Sequence, residues 1–297
     1  MSTIVTQPAS TQRHGTTRTQ RTQRTSRTKR TQTAAAPHFD THRLTRSFPA
    51  QLAAPGAGVL HLWRFRASWL PVPIHESEQW LSDAERHRAR LHPNAAQRHR
   101  YIASRVMLRW IGANLSGQAP RDVVIAEGYG EQRGARLTVG DQHLSVDIAF
   151  GGIWVLIAIA QPALALGIAM PRPGGEAADI IEAGSTQRRA RANVWDVMRA
   201  RARRSQEGAS QRRAARMASL AGALQRADRT SPVDELDTLD TLDALDPLHD
   251  DGPALWLDLA DAGRWHVIDL PMPGEIRGAI SVAQRIEQIH AVGWFGP

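Results

Sequence analysis

The chain has 297 residues, 42% of them hydrophobic, which is enough for one large domain or two small ones with a real core. It has no cysteine, which excludes disulfides and thiolate metal sites. The net charge of +8 invites a nucleic-acid reading, but residues 1–46 carry nine Lys and Arg against Asp40 alone, and the rest of the chain is balanced.

Residues 1–46 repeat Thr, Gln and Arg without apolar periodicity and predict a disordered basic tail, since they offer too little apolar surface to offset the entropy of ordering. Aromatic residues do not interleave the Arg repeat, so the stacking used by single-stranded nucleic-acid binders is missing and a nucleic-acid partner is not expected. The N-terminus lacks the apolar core of a secretory signal. The most apolar run, Gly151 to Met170, is interrupted by Gln161 and Pro162 and predicts a pair of buried strands. The expectation is therefore a cytoplasmic protein without a membrane span.

Order is expected to begin near Val59. The alternation of VLHLWRFRASWL predicts a strand, ended by Pro71 and Pro73. Ser82 with Glu85 three residues on has the spacing of a capping box and opens a helix that Pro93 breaks. A second helix is predicted from about Ala95 to Leu115, with Ile102, Val106, Met107, Trp110 and Ile111 on one face. Short strands follow at 123–126, 136–139, 143–148, 153–160 and 164–170, then an Arg-rich helix over about 180–206. Residues 231–251 set Leu236, Leu239, Leu242, Leu245 and Leu248 every third residue among Asp, a period that drifts around a helix, and they read as a low-complexity acidic insertion. Strands are predicted again at 254–259, 265–270 and 276–282. The fold class expected is α+β, with Trp63, Trp110, Trp154, Trp195 and Trp265 in the core. The histidines read as spaced singles, His87, His92 and His99 among them, on helix surfaces, and no metal site is expected from them.

Taken in order, these pieces resemble the single-chain type of 4'-phosphopantetheinyl transferase over residues 60–285. The residues that carry the resemblance are Glu85-Arg86-His87-Arg88-Ala89, Arg105-Val106-Met107-Leu108-Arg109, the Leu144-Ser145 pair, Gly167-Ile168 and the helix opened by Trp195. The resemblance implies two pseudo-duplicated lobes, an N-terminal lobe at 59–166 and a C-terminal lobe at 167–297. It also implies transfer of phosphopantetheine from coenzyme A to the serine of an acyl, peptidyl or aryl carrier protein, with Mg²⁺ as cofactor.

At each motif the chemistry departs from the family's. The loop expected to hold Lys is Gly130-Glu131-Gln132-Arg133, and the His that would meet a coenzyme A phosphate is replaced by Val146. Ala169, Pro171 and Arg199 stand where the resemblance expects the metal-binding and catalytic acids. A hard cation between carboxylates and a diphosphate needs oxygen ligands, and these residues offer none, so the Mg²⁺ site and the transfer reaction are expected to be impaired or lost. No catalytic residue and no metal ligand is assigned. The surviving candidates for coenzyme A are Arg88 and Arg109, whose guanidinium groups suit phosphates, and Ser145. The Arg-rich stretch from Arg188 to Arg216 corresponds by the same resemblance to a basic face for an acidic carrier protein. The alternatives are a non-catalytic partner that binds carrier protein or coenzyme A, and a nucleic-acid or anionic-surface binder acting through the basic tail.

Overall fold

The computed structural model describes residues 31–127, 135–161, 164–169, 194–226, 252–259 and 263–294. The Arg repeat before residue 31, the loop at 130–133, Pro171 and the acidic insertion 231–251 lie outside the described residues.

The class is α+β, as the sequence indicates: two largely antiparallel sheets with few helices. The first described strands are β1 (Thr31–Thr33) and β2 (His38–His42), followed by β3 (Val59–Arg66). A short helix α1 (Ile74–Ser77) leads to α2 (Asp83–Leu91) and α3 (Ala95–Ser116), then to β4 (Ile125–Glu127), β5 (Ala135–Val139), β6 (Gln142–Gly151) and β7 (Trp154–Ala160). Next come β8 (Leu164–Ala169), the long helix α4 (Val194–Arg226), β9 (Ala254–Leu259), β10 (Gly263–Leu270), β11 (Arg277–Val282) and β12 (Gln288–Val292).

One sheet has the order β2-β12-β3-β7-β6-β5-β4 and the other β1-β9-β10-β11-β8. Within them the same path is traced twice. β3 leads through α3 into β5, β6 and β7, and the last of these pairs antiparallel with β3. β8 leads through α4 into β9, β10 and β11, and the last pairs antiparallel with β8.

Strand alternation decides how these parts stack. In β3, Leu60 and Leu62 turn to one face while Trp63 and Phe65 turn to the other. In β7, Leu156 and Ala158 oppose Val155, Ile157 and Ile159 in the same way. The first set meets Leu166, Ile268, Ile280 and Val282 of the other sheet in a shared core. The second set meets Met107, Trp110 and Ile111 of α3. On the far side, Ala165, Leu257, Trp265 and Val267 pack on Leu220 and Ala223 of α4. The layers therefore run helix, sheet, sheet, helix, and both sheets are buried on both faces. Each fully buried Leu or Ile in them contributes about 1.5–3 kcal/mol.

The helix ends follow the sequence. Ser82 accepts from the Glu85 N–H and Glu85 accepts from the Ser82 N–H, a complete capping box. Asn94 caps α3 by accepting from Gln97 N–H at 2.8 Å, and Gly117, with φ of 73°, ends it in the left-handed region. Among the described residues no helix is long and apolar enough to cross a membrane.

Three features differ from the sequence reading. Order starts before Val59: β1 pairs with β9 and β2 with β12, so Thr31–Thr33 and His38–His42 belong to sheets and not to a disordered tail. Main-chain bonding at a sheet edge needs no apolar periodicity, and only Ala34 and Phe39 reach the shared core from this stretch. A further strand, β12, follows the last one expected and returns to the first sheet, lying parallel between β2 and β3. The Arg-rich helix also extends to Arg226, carried by Ala-rich sequence of high helix propensity beyond Gln206. Of the predicted core tryptophans, Trp63, Trp110 and Trp265 are buried, while Trp154 is half-buried.

Candidate functional site

The α2–α3 corner gathers the first of the sequence candidates. Glu85, placed by its capping box, lies 2.8 Å from Arg109 Nη2 and accepts from Arg109 Nε at 2.9 Å. Arg109 Nη1 donates to the carbonyls of Pro120, Arg121 and Val123 at 3.2 Å each. Only 5% of Arg109 is exposed. Its guanidinium is thus spent inside the chain, holding α2, α3 and the 120–123 turn together. Arg88 is half-buried on α2. Beside it the Arg105 guanidinium lies 5.1 Å over the Tyr101 ring. Burial lowers the Arg105 pKa; Tyr101 and Glu85 oppose that shift and Arg88 adds to it. Arg88 and Arg105 thus lie side by side near the Glu85 carboxylate that pairs with Arg109.

Ser145 is half-buried on β6, between Arg136 and Ala160 in the strand register. Among the described residues no hydrogen bond or ion pair joins it to Arg88 or Arg109. Two residues on, Asp147 is buried, and its carboxylate accepts from the N–H groups of Ile148 at 2.8 Å and Leu166 at 2.6 Å. It ties β6 to β8 and so links the two sheets. Ala169 ends β8, and Trp195 and Arg199 lie in the first turns of α4.

Part of the Arg run turns inward. Arg216, 0% exposed, meets the Asp269 carboxylate with Nε and Nη2, both at 2.7 Å, and Nη2 also donates to the Gly252 carbonyl. Arg212 approaches the same carboxylate at 3.9 Å. On either side of Arg216 the helix backbone touches β8 directly. A Cβ on Gly167 would stand 2.1 Å from the Ala215 carbonyl oxygen and 2.4 Å from the Ser219 nitrogen, so only glycine fits there.

The residues that sequence reasoning missed lie where β2, β12 and β3 run side by side. Parallel register sets His290 opposite both Asp40 and His61, and places His42 two residues along from Asp40 on the same face. His42 Nε2, His290 Nδ1 and Asp40 Oδ2 come together at their tips. His61, 1% exposed, stands edge to face against His290 with ring centroids 5.5 Å apart. Its Nδ1 is buried and bonds to nothing among the described residues. Burial first, then His290 and His42, pushes the His61 imidazole down to about 3, so it is neutral at physiological pH. A signal existed in His38-Phe39-Asp40-Thr41-His42, because Asp and His two apart share one face of a strand. The reading of this stretch as tail concealed it.

A second buried histidine, His266, stacks on Trp256 at 4.6 Å between centroids, and its Nδ1 accepts from the Ile286 N–H at 3.1 Å.

No family model matches the chain, and no curated protein matches it either.

Proposed function

We propose that this chain is a relative of the 4'-phosphopantetheinyl transferases that has lost the transfer reaction and retains recognition of a carrier protein and of the phosphates of coenzyme A. The observation that carries this reading is the repeated path β3-α3-β5-β6-β7 and β8-α4-β9-β10-β11, in which each first strand pairs with the last of its own half. Such a repeat is what two pseudo-duplicated lobes require, and Gly167-Ile168 lies in the strand that opens the second half. Loss of transfer follows from chemistry. Ala169 and Pro171 offer no side-chain oxygen to a hard cation, and Arg199 brings positive charge to a position that needs a base. Asp147 does not compensate, because its carboxylate already serves Ile148 and Leu166. Anion recognition is assigned to the Arg88 and Arg105 corner, with Arg109 holding the helices that carry it.

Incubation with a panel of acyl and peptidyl carrier proteins, coenzyme A and Mg²⁺, read by intact mass, tests the reading. A transferred arm adds about 340 Da to the serine nucleophile. The expected result is no gain in mass together with a salt-sensitive complex between the chain and a carrier protein. A gain in mass would overturn the loss of catalysis. Absence of both gain and complex would overturn the kinship in function.

A further inference from the structure

The tips of Asp40, His42 and His290 form a triangle with three equal edges. His42 Nε2 lies 3.3 Å from His290 Nδ1, and each of these nitrogens lies 3.3 Å from Asp40 Oδ2. Hydrogen bonding alone serves such an arrangement poorly. Each ring nitrogen carries one proton or one lone pair, so it can be aimed along only one of its two edges, and the edges exceed the usual 2.7–3.2 Å or so of an N–H···O bond. A cation near the middle uses all three lone pairs at once. For bonds of about 2.0–2.1 Å, tetrahedral corners stand about 3.3–3.4 Å apart, whereas octahedral neighbours at that length stand about 2.9 Å apart.

We propose that Asp40, His42 and His290 bind one divalent borderline cation of the zinc type, which clasps β2 to β12. Two imidazoles and one carboxylate suit zinc and disfavour magnesium or calcium, which take oxygen ligands. His42 and His290 are 17% and 18% exposed and Asp40 40%, so an ion can enter from solvent past the carboxylate. The unpartnered Nδ1 of buried His61, on the neighbouring strand, is an independent sign of a ligand here: a water completing the coordination would give it the hydrogen bond it lacks. No covalent chemistry is implied. The clasp is separate from carrier-protein recognition, and each proposal can fail without the other.

The test uses full-length protein free of any histidine tag, stripped with EDTA and titrated with zinc chloride. It should take up one equivalent and melt at a higher temperature, because an ion held only by the folded state shifts the equilibrium towards it. Cobalt chloride should give the intense visible absorption of tetrahedral Co²⁺, and magnesium chloride should leave the melting temperature unchanged. His42→Gln with His290→Gln should lower zinc affinity about 100-fold or more, while His87→Ala, exposed on α2, leaves it intact. Wild-type protein that takes up no zinc at micromolar concentration, or a double variant that binds as tightly as wild type, would overturn the site. Should the double variant fail to fold, the wild-type cobalt spectrum decides, and a weak octahedral spectrum overturns the proposal.

Discussion

Arg216 of α4 and Asp269 of β10 meet as a two-pronged ion pair, with Nε and Nη2 each 2.7 Å from a carboxylate oxygen. The guanidinium is fully buried, and Asp269 and the Gly252 carbonyl are among the groups that hold its charge. Asp269→Ala should destabilise the fold by about 3–5 kcal/mol, because it takes a two-pronged carboxylate partner from a buried cation. Changing both partners together, Arg216→Met with Asp269→Leu, should recover most of the loss. Urea denaturation of the three variants checks this.

A tighter constraint lies in the same interface between α4 and its sheet. Gly167→Ala sets a methyl group against the main chain of Ala215 and Ser219, atoms that cannot rotate aside. The helix must shift off the sheet, at a cost of about 3 kcal/mol. Gly222→Ala, whose nearest neighbour is the Ala165 Cβ at 3.2 Å, should be far milder. Comparing melting temperatures of the two variants tests the contrast.

Arg109 and Arg88 should separate stability from recognition. Arg109→Ala leaves Glu85 buried without its cation and should cost about 3–5 kcal/mol. Arg88→Ala should change stability by no more than about 1 kcal/mol and weaken coenzyme A about tenfold, the worth of one charge-assisted hydrogen bond to phosphate. Calorimetric titration beside thermal melts would show both effects. If Arg88→Ala left the affinity unchanged, coenzyme A could not be held at this corner.

Acid sensitivity has an assignable source in His266. Burial first, and Arg285 after it, pushes this imidazole down to about 4. The unfolded chain therefore binds a proton that the folded chain refuses. The stabilisation is complete above the ordinary value of about 6.5 and is lost as pH falls from there towards 4. His266→Asn keeps an acceptor for the Ile286 N–H but cannot titrate. Unfolding midpoints between pH 7 and pH 4.5 should fall less steeply in this variant than in wild type.

Much of the layered core was legible in the sequence because periodicity reports burial directly. The alternation of β3, the face of α3 with Met107, Trp110 and Ile111, and the Ser82–Glu85 capping box all appear as their residues predict. What escaped notice was held by relations that a linear pattern does not carry. β12 and β2 are polar or short, and their place is fixed by pairing with strands far along the chain. Arg109 shows the same limit at the level of a side chain. A guanidinium looks alike in sequence whether it faces a phosphate or, as here, a buried glutamate and three carbonyls. The triangle of Asp40, His42 and His290 joins residues separated by about 250 positions, so spacing rules for local metal motifs do not reach it.

The insertion of β12 between β2 and β3 governs how this molecule can be divided and assembled. Residues 31–161 expressed by themselves would contain β2 and β3 but not the strand that joins them, leaving the edge of β3 bare and β2 with no partner. The first half is therefore not an autonomous folding unit, despite having its own helix and meander. Its sheet can close only after a contact across more than two hundred residues has formed, which makes slow, late completion the natural kinetic signature of the fold.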